Sequence, residues 1–141
     1  MTHVYECETE TKPTQPLLSI YQQFDGYPSG VGAELCEFMQ GFKIVNGITD
    51  RTIRTANGAG CFAAQLVAHL KKGIGGVYIY PPGSPDEEFV YKIYITPPRG
   101  FSEFGTILLE VFDGDSTKNP LFSGTPEEVA KAIAKEEDDD E

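Results

Sequence analysis

Two glycine-rich stretches carry the residue types that could hold a ligand. The first is Asp25-Gly26-Tyr27-Pro28-Ser29-Gly30-Val31-Gly32 and the second is Asn57-Gly58-Ala59-Gly60. Each stands just ahead of apolar residues at helical spacing. A helix N-terminus has unpaired N–H groups and partial positive charge, so it attracts anions. Glycine lets a ligand approach that backbone closely. Arg51 and Arg54 lie between the two stretches and would add full charges. If the helix starts converge, Asp25, Tyr27, Ser29, Arg51, Arg54 and Asn57 form one candidate site for a phosphate, nucleotide or carboxylate. The arginines would supply charge, Ser29 and Asn57 hydrogen bonds, and Tyr27 a cover. Neither stretch matches the phosphate-loop or dinucleotide fingerprint. Tight turns and close helix packing also call for such glycines, so both readings stand.

Other chemistry is thinner. Cys61 falls in the first turn of the second helical pattern, where the dipole and Arg54 favour a thiolate. A nucleophile also needs a base. His69 is about 12 Å further along that helix at about 1.5 Å per residue, and His3 is the only other histidine. Cys61 therefore reads as a small buried residue against Phe62. Two isolated histidines and no CxxC pair give no transition-metal site, and Asp113-Gly114-Asp115 lacks the glutamate that completes a calcium loop. No metal or cofactor is expected. A hydrolase built on Asp25 ranks behind the binding readings.

The elements that must position these residues are legible as alternation and helical periodicity. Residues 3–11 alternate, with Tyr5, Cys7 and Thr9 opposite Glu6, Glu8 and Glu10, which predicts a strand with an acidic face suited to a sheet edge. A turn at residues 12–16 leads to a second strand over 17–24, so the two should form a hairpin. Val31, Leu35, Phe38, Met39 and Phe42 predict a helix over 30–42 with Ser29 as its cap. Residues 48–60 read as irregular. A second helix follows to Lys72, where Gly73 stops it. Strands are predicted over 76–80, 88–96 and 105–112, with a short one at 121–122. Thr125-Pro126-Glu127-Glu128 is a strong helix start with a capping box. The expected fold is one α+β domain over residues 1–135. It has an antiparallel sheet of about five or six strands with two or three helices on one face.

On the strands over 76–80 and 88–96, burying the more apolar faces puts Tyr78, Tyr80, Lys92 and Tyr94 on one surface. Such a surface could stack on a base or meet a partner protein. The charge is uneven: 22 acidic residues face 11 basic ones, and six of the acids are residues 136–141. That run predicts a disordered, solubilising tail, or a decoy for a basic, DNA-binding surface. The net charge of -11 argues against direct binding to nucleic acid or an anionic membrane. No apolar run approaches a membrane span, and no signal peptide is evident at the N-terminus. Three cysteines in separate segments read as free thiols, which fits the cytoplasm.

The run Phe24-Asp25-Gly26-Tyr27-Pro28-Ser29-Gly30-Val31-Gly32, with Asn57-Gly58-Ala59-Gly60-Cys61-Phe62-Ala63-Ala64-Gln65-Leu66 and Gly75-Gly76-Val77-Tyr78, resembles small uncharacterised proteins of tailed bacteriophages and prophages. The resemblance spans residues 17–96. It implies a phage accessory or counter-defence protein in the host cytoplasm and assigns no catalytic residue. The sequence thus points to a non-enzymatic binding protein for a small anionic, nucleotide-like ligand. The alternative is an acidic inhibitor or DNA mimic that meets a host protein through its tail and tyrosine face.

Overall fold

Alternating apolar residues build a six-stranded sheet, and helical stripes cover one of its faces. The computed structural model describes residues 1–8, 12–46, 54–82, 84, 88–100, 103–114 and 119–139. The chain runs β1 (Thr2–Glu6), β2 (Leu18–Gln22), a π-helical turn (Pro28–Gly32), α1 (Ala33–Met39), β3 (Lys43–Val45), β4 (Thr55–Asn57) and α2 (Gly58–Leu70). It continues through β5 (Val77–Tyr80), β6 (Phe89–Thr96), β7 (Thr106–Asp113), β8 (Phe122–Gly124) and α3 (Pro126–Asp139). The main sheet has the order β5-β2-β1-β6-β7-β8. All its neighbours are antiparallel except β1 and β6, which are parallel. β3 and β4 form a separate parallel pair. The fold is α+β.

One face of the sheet carries Val4, Ile20, Tyr91, Ile93, Ile95, Ile107, Leu109 and Val111. Register makes these side chains neighbours: Val4 sits opposite Ile93, which sits opposite Leu109. Leu35 and Met39 of α1, Phe62 and Leu66 of α2, and Val129 and Ile133 of α3 close the same core. Burying each such side chain contributes about 1.5–3 kcal/mol.

Four expectations change. Ser29 does not cap α1: it lies inside the π-helical turn, and neither that turn nor α1 has a side-chain cap. β1 lies inside the sheet, not at its edge, because Thr2 to Tyr5 are buried on both faces. The acids that suggest an edge begin only where the strand ends, at Glu6. The region expected to be irregular contains β4, which pairs Ala56 with Ile44. α3 runs to Asp139, past the predicted end of order at residue 135. Its start is as expected: the Thr125 N–H donates to Glu128 Oε1 at 3.1 Å, and the Glu128 N–H donates to Thr125 Oγ1 at 3.3 Å. That reciprocal cap lowers the Glu128 carboxyl below its usual range. Ala130, Ala132 and Ala134 are strong helix formers, and they carry the helix into the acidic run.

Candidate functional site: the glycine loop and its two cavities

The loop ahead of α1 is folded back on itself. The Val31 N–H donates to the Asp25 carbonyl at 2.9 Å, and the Gly30 N–H donates to the Tyr27 carbonyl at 3.0 Å. Asp25 takes φ +58°, a left-handed conformation that aspartate tolerates better than most residues. Gly30 is required by close approach, since a Cβ there would lie 2.4 Å from the Asp25 carbonyl oxygen. The loop is tied to the sheet by Tyr91 of β6, whose hydroxyl donates to the Gly26 carbonyl at 2.6 Å. Burial raises the Tyr91 phenol well above its usual range, so this donor keeps its proton.

Held this way, the loop is a ridge between two cavities. One, of about 250 Å³, is lined by Met1, Tyr21, Gln22, Tyr27, Glu88 and Phe89. The other, of about 350 Å³, has an apolar floor of Pro28, Phe89, Leu121, Phe122 and Ile133. Its rim carries Ser29 and the carboxylates Asp113, Glu136 and Glu137. Phe89 lines both cavities, and Tyr27 and Pro28, one in each lining, are consecutive, so the cavities are neighbours. Among the described residues no lysine or arginine lines either cavity. The Tyr27 hydroxyl donates to Asp25 Oδ1 at 3.1 Å. That bond and the Asp25 charge raise the Tyr27 phenol, with slight desolvation and the charge of Glu137 adding to them. The loop therefore sits in a negative field.

Five of the six residues proposed for an anion site are described, and Arg54 and Asn57 make their contacts away from the other three. Asp25, Tyr27 and Ser29 share the ridge. Arg54 sits beyond the far end of α1, where its guanidinium donates to the Gln40 carbonyl and, at 3.3 Å, to the Glu37 carbonyl. Arg54 thus satisfies orphan carbonyls at the negative end of α1. Asn57 pairs with Val45 in the small sheet and makes no side-chain cap to α2. Arg51 lies outside the described residues. α2 follows directly on β4, whose Asn57 pairs with Val45 of the strand that follows α1. Cys61, expected to be buried, is exposed, and Gln65 Nε2 donates to its Sγ at 3.4 Å. Among the described residues no cluster of three metal-ligating side chains forms, and no helix is long and apolar enough to cross a membrane.

The expected tyrosine face exists as a register. Tyr78 sits opposite Tyr21, Tyr80 opposite Ser19, Ser19 opposite His3, and His3 opposite Lys92. Tyr21 and Tyr80 stack at 5.3 Å, and Tyr5 and Tyr94 at 4.8 Å. Tyr94 is buried, because Lys12 lies over its ring while paired to Glu110 at 2.8 Å. Its tyrosines are open at the β5 end, with Tyr78 at 44% exposure, whereas beside Tyr94 the exposed residue is its β7 partner Leu108.

Sequence reasoning missed Gln22, Glu88, Leu121 and Phe122 as lining residues. Gln22 had a signal. It continues Leu18 and Ile20 at a spacing of two, so a polar side chain occupies a core-facing strand position. No protein-family model matches this chain, and neither a curated protein nor a solved structure matches it.

Proposed function

We propose that the protein is a non-enzymatic docking protein that covers a basic surface of another protein. The groove between the glycine loop, β8 and α3 is the contact. One observation carries this reading: an apolar floor with half-exposed Leu121 is rimmed by Asp113, Glu136 and Glu137, without a described basic side chain in its lining. Glu136, Glu137 and Asp138 also crowd the C-terminal turn of α3, which contains no basic residue. Acids there oppose the helix dipole and one another, each at about 0.3–1 kcal/mol. A cationic partner relieves both terms, and Leu121 and Phe122 give it an apolar anchor.

An anionic ligand finds less support, since Arg54 is spent on α1 carbonyls and carboxylates surround the ridge. A hydrolase acting through Asp25 finds little, because its partner Tyr27 is held protonated and offers no base. In a phage setting, a docking protein of this kind would act by occupying a basic, DNA-binding surface of a host protein.

The test is fluorescence anisotropy with a labelled short peptide alternating leucine and arginine. It should bind, and binding should weaken with salt. The combined variant Asp113→Asn, Glu136→Gln, Glu137→Gln should lose about tenfold in affinity, at about 0.2–1 kcal/mol per rim charge. Equal binding by the variant, or by a leucine–glutamate peptide, would overturn the reading.

A further inference from the structure

The smaller cavity does not share the apolar character of the groove, although Phe89 lines both. At 250 Å³ it is smaller than the pockets that take drug-sized ligands and suits a single side chain. Three aromatic residues, Tyr21, Tyr27 and Phe89, line it, and so does Glu88. The Met1 amino group is turned onto the Phe89 carbonyl at 3.0 Å. Gln22 supplies the most telling feature. Its Oε1 is out of solvent contact and has no hydrogen-bond partner. A buried acceptor left unpaired is costly, and native structures seldom keep one without a reason. Gln22 is itself one of the residues that line the cavity.

We infer that this cavity is an arginine pocket, receiving a guanidinium from the basic partner while the groove takes a neighbouring apolar side chain. The inference rests on the docking reading above. Guanidinium is planar, stacks on aromatic rings and presents a rigid fork of donors. Glu88 takes charge and one set of donors, and Gln22 Oε1 takes another. Asp25 and Glu137, which act on Tyr27, extend the negative field over the entrance. A lysine ammonium would meet Glu88 but lacks the planar fork that engages carboxylate and amide together.

The test uses the full chain and two probes. In the first arm, N-acetyl-arginine amide is titrated and followed by NMR. The Gln22 side-chain amide and the Tyr27 and Glu88 backbone amides should shift and saturate, with N-acetyl-lysine amide at least fivefold weaker. Gln22→Leu should weaken arginine amide at least fivefold while raising the melting temperature, because it removes the unpaired acceptor. A protein in which Gln22 only supports the fold would show a lowered melting temperature instead. Glu88 is exposed, so Glu88→Gln tests the pocket should Gln22→Leu misfold. In the second arm, the leucine–arginine peptide is measured against these variants and the groove variant. If the groove variant weakens the peptide and the pocket variants do not, the arginine pocket is wrong and the docking reading stands. If arginine amide shifts Gln22 but the peptide does not bind, the pocket stands and the docking reading fails.

Discussion

At the start of α1 the chain packs Gly30 and Gly32 inward. A Cβ on Gly30 would strike the Asp25 carbonyl, and one on Gly32 would come within 3.2 Å of the Tyr91 ring and 3.3 Å of Ile133. At the start of α2 the glycines face open space, with nothing within 4 Å of a Cβ on Gly58 or Gly60. The two helix starts have similar composition, and each has a charged or polar neighbour suited to an anion. At α1 the packed backbone forms a ridge that leaves cavities on both sides. At α2 the nearby Arg54 is consumed by the last carbonyls of α1. A glycine cluster thus marks a site where its backbone is held against other elements, and where neighbouring charges remain available.

The sharpest way to break this comparison is Gly30→Ala. The obstacle is backbone, so the loop itself must move. Overpacking of this kind costs about 1–3 kcal/mol, and a rigid neighbour places it at the upper end. Urea unfolding should show that loss, and the variant should also bind the leucine–arginine peptide more weakly, because the ridge shapes both cavities. Unchanged stability would mean that the Asp25 carbonyl does not lean on Gly30.

A middle-sized effect is expected from Arg54→Met. Arg54 caps the last turn of α1 from an exposed position, and a cation there contributes about 0.3–1 kcal/mol. The variant should unfold at slightly lower urea and bind the peptide as the parent does, because Arg54 lies away from the ridge. A large change in peptide affinity with little change in stability would put Arg54 back in the binding site.

Much of the fold is readable in the sequence because alternation and capping are local. The Thr125–Glu128 box, the strands β6 and β7 and the shared face of Tyr78, Tyr80, Lys92 and Tyr94 follow from short-range pattern. Strand order is not local. Glu6 and Glu8 suggest an edge for β1, yet the parallel pairing of Val4 with Ile93 places it centrally, and nothing in residues 3–11 encodes that partner. The site is half legible for the same reason. Asp25, Tyr27 and Ser29 are where the glycine loop puts them. Glu88, Leu121 and Phe122 join them only because β6 and β8 lie in the same sheet as Gln22. Arg54 misleads because its charge is visible in the sequence and its carbonyl partners are not.

The last effect has the opposite sign. Gly60 lies in the first turn of α2, is exposed, and has no positive φ. An alanine there meets no neighbour and removes backbone entropy from the unfolded chain. Gly→Ala at such a helix position stabilises by about 0.5–1 kcal/mol. Gly60→Ala should therefore raise the urea midpoint, where Gly30→Ala lowers it. Binding of the leucine–arginine peptide should be untouched, since Gly60 lines neither cavity. The pair of variants isolates one cause. Both add the same methyl group at a glycine beside a helix start, and they differ in whether backbone already fills the space. A Gly60→Ala protein less stable than the parent would mean that the start of α2 is packed as tightly as the start of α1, and the contrast between the two would collapse.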